Sequence, residues 1–159
     1  MRRACLAVLF ALAAAASSAG ELRPFTADSL ASIRKQHAGR PFILTLWSLT
    51  CHHCAKELQA LGRLVRAEPE LPLAIVSTDS PVEAQAIRAA LQRFGLARID
   101  TWVFADAVPE RLRYAIDPTW RGELPRTYLF DAAHRRTAHS GLLDESRLKE
   151  WLARQRAGG

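Results

Sequence analysis

The stretch Trp47-Ser48-Leu49-Thr50-Cys51-His52-His53-Cys54 places two thiols two residues apart, behind an apolar run and at the start of a segment with helical periodicity. On a helix, positions i and i+3 share a face, so both sulfurs fall on one side of the first turn, close enough to form and break a bond with each other. Cys51 would stand among backbone N–H groups that have no helical partner, at the positive end of the helix dipole, which favours the thiolate. Thiolate is the nucleophile of disulfide exchange, so the pair is a candidate redox couple, with Cys51 attacking and Cys54 resolving. A free cysteine has a pKa of about 8.5, and such a placement lowers it. Cys54, one turn further in, should be more buried and keep its proton longer. The plainer alternative is a pair of inert core cysteines, and the two polar histidines between them argue against it.

The neighbours of the thiols carry their own alternatives. His53, directly before Cys54, could stabilise the Cys51 thiolate and so raise the reduction potential. His52 could share that tuning role or be a solvated residue on the rim. Glu57 lies three residues past Cys54, where a partly buried carboxylate would have a raised pKa and could shuttle the Cys54 proton. Otherwise it is an exposed residue pairing with His53 at i, i+4 for only tenths of a kcal/mol. Cys-His-His-Cys also offers soft ligands for Cu(I) or zinc, and His134 with His139 completes a two-plus-two ligand count. The two halves are much further apart than in a zinc finger, and the only methionine is Met1, so no metal site is assigned.

These side chains need a strand before them and a helix under them. Pro41-Phe42-Ile43-Leu44-Thr45-Leu46-Trp47 is nearly continuous apolar, as in a strand covered on both faces. The helix after the thiols carries Leu58, Leu61 and Val65 and stops before Pro69. Thr26 can cap an earlier short helix with Leu30, Ile33 and His37, ended by Gly39. Leu73-Ala74-Ile75-Val76 reads as a second buried strand. Ser80-Pro81-Val82-Glu83 combines a capping box with proline at the first helical position, and Ile87, Ala90, Leu91 and Phe94 follow at helical spacing before Gly95. Thr101-Trp102-Val103-Phe104 is a third strand, after which Asp106 caps a helix bearing Val108, Leu112 and Ile116. A polar loop over residues 117–123 leads to a hairpin of residues 125–131 and 136–140. A last helix from Asp144 presents Leu148, Trp151 and Leu152. This order predicts an α/β fold with a mixed sheet, parallel in its first part and antiparallel in its second, and helices on both faces.

The start of the chain points to export. Arg2 and Arg3 precede the apolar residues 6–16, and Ser17-Ser18-Ala19 follows, the pattern of a secretory signal cut after Ala19. An uncleaved membrane anchor is the alternative, although eleven apolar residues fall short of the roughly 20 that a bilayer needs. Residues 20–159 then form one domain with two cysteines, too close together to staple a fold, and Cys5 has no role. Loss of Arg2 and Arg3 takes the formal charge from +6 to +4. The arginines are scattered without a basic stripe or interleaved aromatics, so nucleic acid is not an expected partner.

A Trp-x-x-x-Cys-x-x-Cys motif at a strand-to-helix junction resembles the thioredoxin superfamily, and Pro125 at the head of a later strand resembles its cis-proline. Within it the chain is most similar to the exported TlpA/ResA-like thiol-disulfide oxidoreductases. The signal segment, Cys54-Ala55-Lys56-Glu57 and Pro125-Arg126-Thr127-Tyr128-Leu129-Phe130-Asp131 carry that narrower likeness. It implies a thioredoxin-like fold, a proton-handling role for Glu57, and a cis Pro125 that presents the Leu124 backbone to an extended client. A strand-start proline in trans is the alternative. Trp47 would shield the disulfide or simply pack in the core, and Trp120 would flank the groove or pack down. Four departures stand out. No proline lies between the cysteines, none follows Glu57, the 117–123 loop is long, and the strand before the thiols carries no carboxylate.

The leading reading is a periplasmic oxidoreductase, monomeric and without a cofactor beyond its own disulfide. It would reduce client proteins, cytochrome c maturation-type clients among them, with electrons from a membrane dithiol partner. His53, directly before the second cysteine, resembles the Cys-Pro-His-Cys pattern of the oxidising DsbA-type enzymes and supports the opposite direction, an oxidant. A copper carrier is the alternative from another class, and a non-catalytic binding module would require dispensable thiols.

Overall fold

A computed structural model describes residues 20–157. The signal segment expected over residues 1–19 lies outside the described residues. Six strands form one sheet: β1 (Leu22–Phe25), β2 (Phe42–Trp47), β3 (Leu73–Ser77), β4 (Asp100–Phe104), β5 (Arg126–Phe130) and β6 (Arg136–Ser140). Their order across the sheet is β1-β4-β3-β2-β5-β6. The first four in that order run parallel to one another, whereas β5 pairs antiparallel with β2 and with β6. The mixed sheet is therefore as expected, with one strand more. β1 escaped the pattern because Arg23 and Pro24 break any alternation, and proline is tolerated where a strand has a neighbour on one side only.

Helices α1 (Ser29–Gln36), α2 (His52–Ala67), α3 (Ala84–Arg93), α4 (Pro109–Ile116) and α5 (Glu145–Ala157) cover both faces. Strand side chains alternate between the faces. Ile43 and Trp47 of β2 join α2, α3 and α5 in one apolar cluster, and Phe42, Leu44 and Leu46 join α1 and α4 in the other. All six residues of β2 are buried, which explains its unbroken apolar run.

Local signals are mostly as read. The capping box at Ser80 and Glu83 is formed, on a 3-10 turn (Pro81–Glu83) that leads into α3, and Gly95 takes a positive φ beyond its end. Two caps differ. Asp28, not Thr26, precedes α1, and Thr26 instead donates its N–H to the Ser29 hydroxyl. Asp106 accepts the Val108 N–H one turn early, so α4 starts at Pro109 and leaves Val108 40% exposed rather than in the core. Gly62 on α2 is a packing glycine: an added Cβ would stand 1.9 Å from the Phe94 carbonyl oxygen. No helix of the described residues is long and apolar enough to cross a membrane.

Candidate active site

β2 delivers its chain to the start of α2 at the end of the sheet where the parallel strands finish. Cys51 is the N-cap residue, with extended backbone (φ −83°, ψ 108°), and its sulfur accepts the Cys54 N–H at 3.1 Å. The same N–H also meets the Cys51 carbonyl at 3.1 Å, and an anionic sulfur at that position would be held by this shared donor and by the dipole. Cys51 and Cys54 are joined as a disulfide, S–S 2.11 Å, with Cα atoms 5.3 Å apart. Cys51 is half-buried and Cys54 is 0% exposed. An incoming sulfur can therefore reach only the first of the two. His52 and His53 are both exposed, their rings 5.7 Å apart and nearly perpendicular.

Glu57 lies one turn beyond Cys54 and is 2% exposed. Leu143 donates its backbone N–H to Oε2 at 3.0 Å, and the Thr127 hydroxyl donates to Oε1 at 3.4 Å. Thr127 in turn meets Thr45 of β2, Oγ1 to Oγ1 at 3.3 Å. Burial pushes the Glu57 carboxyl above its usual range, against the opposing pull of the Leu143 N–H, Thr127 and the nearby His139. The alternative placement, an exposed Glu57 paired with His53 at i, i+4, is not the one found. The carboxylate missing from β2 is thus supplied from the helix, and Thr45 is the buried polar group that β2 contributes.

The Leu124–Pro125 peptide is cis. Leu46 pairs with Arg126 across β2 and β5, so Pro125 lies at the same end of the sheet as Trp47 and the disulfide. Leu124 is partly buried against both apolar clusters. Trp47 is 2% exposed and shares a cluster with Cys54.

Of the two placements open to Trp120, flanking the groove or packing down, the structure shows the second. Trp120 is 5% exposed, packs in the cluster on the α1 and α4 face, and donates its indole N–H to the Glu123 carbonyl at 2.9 Å. Burial of a large ring won over rim exposure. The copper reading loses its second pair of ligands. His134 bonds the His37 carbonyl and His139 the Leu142 carbonyl, and no group of three or more metal-ligating side chains is gathered among the described residues.

Two features escaped sequence reading. Asp79 accepts the Leu49 N–H at 2.9 Å and the Ser77 hydroxyl at 2.6 Å, tying the loop ahead of Cys51 to the end of β3. Asp117, in the loop read as merely polar, is 3% exposed. It takes Arg126 at 3.0 Å, Arg136 at 3.2 Å and the Tyr128 hydroxyl at 3.2 Å. Burial alone would raise its pKa, but hydrogen bonds from Thr119 and the two guanidinium groups hold it down at about 2. A spacing of nine residues to Arg126 leaves no local trace. Ser77-x-Asp79 after a strand was the one readable hint of the first tether.

Cysteine pair at a helix start, cis-proline at the same sheet end and a mixed sheet of this order define a thioredoxin-like fold. No protein-family model matches the chain, and no curated protein sequence does. Solved structures do. A secreted Mycobacterium tuberculosis disulfide oxidoreductase homologous to E. coli DsbE superposes with a TM-score of 0.60 at 19% identity, over 75% of this chain and 84% of that one. A thiol:disulfide interchange protein of the thioredoxin family from Chlorobium tepidum TLS matches at 0.61 and 13%, over 77% and 83%. A thioredoxin-related protein from Neisseria meningitidis serogroup B matches at 0.59 and 20%, over 74% and 85%. The chain's structural neighbours are thus thioredoxin-like, and at these identities the likeness is one of fold.

Proposed function

We propose that the chain is an exported protein thiol–disulfide oxidoreductase that acts as a reductase of client disulfides. The observation that supports this most is the asymmetric pair at the helix start, a reachable Cys51 over a fully buried Cys54. In the dithiol form the Cys51 thiolate attacks one client sulfur. The client S–S bond breaks, its other sulfur leaves as thiolate and takes a proton, and a mixed disulfide remains. Cys54 then gives its proton to Glu57 and attacks the Cys51 sulfur, releasing the second client thiolate, which is also protonated. Two electrons and two protons pass to the client, and the Cys51–Cys54 disulfide seen here is the product state. A membrane dithiol partner restores the dithiol.

Glu57 suits proton handling because it is buried one turn from Cys54, and that burial raises its pKa and makes its carboxylate a better proton acceptor than an exposed one. The Leu124 backbone beside cis Pro125 offers an extended client a place to pair. Residues 1–19 take the chain to the periplasm. The same steps reversed describe an oxidant, and the exposed histidines at the thiolate end favour that direction in proportion to how far they stabilise the thiolate.

Turnover of insulin and of a small disulfide tests the reading. Cys51→Ser is expected to abolish both, and Cys54→Ser to accumulate a mixed disulfide on Cys51 that mass spectrometry detects. Stoichiometric copper without turnover would replace the reading by a carrier. A potential near −270 mV marks a reductase and one near −120 mV an oxidant, by comparison with couples of about those values.

A further inference from the structure

A groove of about 330 Å³ opens beside Cys51, between α2 and α3. Both helices follow parallel strands, so both begin at the disulfide end of the sheet. Lower down, Gly62 lets the Phe94 carbonyl close against α2. Above that contact the walls are Ala55 on one helix and Ala86 and Ala89 on the other, and methyl groups cannot fill the space between them. These alanines are exposed, so the groove is a surface that the fold leaves unpacked next to the reacting sulfur. Arg93 is the charged side chain lining it, and no carboxylate does. Arg93 forms no salt bridge among the described residues.

We propose that this groove is a client subsite, which takes the extended segment on one side of the client half-cystine, with an apolar side chain against the alanines and a carboxylate against Arg93. The proposal rests on the exchange reading above and specifies its substrate. Seven residues separate Ala86 from Arg93, about 10 Å of helical rise. Extended chain advances about 3.3 Å per residue, which puts the acidic residue about three positions from the client cysteine. The complementarity is electrostatic, so the preference weakens as salt is added.

The test uses the full chain and three disulfide-linked peptides of one sequence, leucine beside the cysteine, with Asp, Asn or Arg at the third position. The unmodified protein is expected to favour the Asp peptide in kcat/KM by roughly fivefold over the Asn peptide, the scale of one exposed ion pair. Arg93→Glu should invert the ranking so that the Arg peptide leads, whereas Arg111→Glu, the same charge change on α4, should preserve it. Ala89→Trp fills the groove and should lower kcat/KM for all three peptides about tenfold relative to 2-hydroxyethyl disulfide. Equal rates for the three peptides, an unchanged ranking in Arg93→Glu, or no relative loss in Ala89→Trp would each overturn the proposal. So would an Arg93→Glu effect confined to glutathione disulfide, which would make this a small-thiol pocket. If the unmodified protein fails to turn over 2-hydroxyethyl disulfide at all, the exchange reading falls and this one with it.

Discussion

At the scale of single residues, the proposed chemistry rests on a contrast between two sulfurs three positions apart in the chain and a carboxyl one turn below them. Glu57 is buried with two hydrogen-bond donors, and its raised pKa makes the protonated form the one that the fold prefers. The sign follows: stability from this group is present below its ordinary pKa and lost as pH rises through the raised folded value. Glu57→Gln should therefore be more stable than the parent in urea unfolding at pH 8, with the advantage vanishing in acid. Its client turnover should fall about 10²-fold, the usual contribution of a positioned acid–base group. A stable variant that keeps full turnover and an unchanged pH–rate profile would remove Glu57 from the reaction. The Cys51–Cys54 pair was legible because residue type and spacing are themselves the signal, whereas the cis form of Pro125 was legible only through the resemblance that its strand carries. The burial of Glu57 was only half legible, since its spacing to Leu61 and Leu64 suggested an apolar face while its partners lie 70 and 86 residues away.

At the scale of elements, apolar patterning carried the reading of β2, α2 and α3, because each buries a continuous run or stripe, whereas β6 is almost wholly exposed and carries no such pattern. β1 was not legible, since four residues interrupted by Arg23 and Pro24 carry no period. Trp120 stayed undecided for a related reason: nothing in a loop's local composition says which face of a sheet will receive its ring. The contact between α2 and α3 was also hidden, because a glycine inside a helix reads as a weakness. Gly62→Ala gains about 1 kcal/mol of helix propensity. It also forces a Cβ toward a backbone carbonyl at 1.9 Å, which cannot swing aside as a side chain would. Overpacking of this kind costs about 1–3 kcal/mol, and here it should dominate. The expected outcome is a lower Tm with changed client KM, since α3 must move and the groove moves with it. A higher Tm would show that the helices have slack the structure does not display.

For the whole molecule, the sheet separates two kinds of business. The α2, α3 and α5 face carries the cysteine pair, and the opposite face carries the Asp117 network that fastens the loop before β5 to β5 and β6. Asp117 has a folded pKa of about 2 against an ordinary 3.8, so its contribution is present above about pH 4 and lost as pH falls through 2. Asp117→Asn should lose about 2 kcal/mol at pH 7, with the gap closing near pH 2 in denaturant titrations. An equal loss at both pH values would mean that geometry rather than charge holds the loop. The Thr127 and Leu143 donors to Glu57 come from the last third of the sequence, long after both thiols. A ribosome that has released only the first four strands has therefore made a dithiol with no home for its acid. Grafting the Cys-His-His-Cys helix onto a foreign scaffold would transplant the sulfurs and leave the proton store behind.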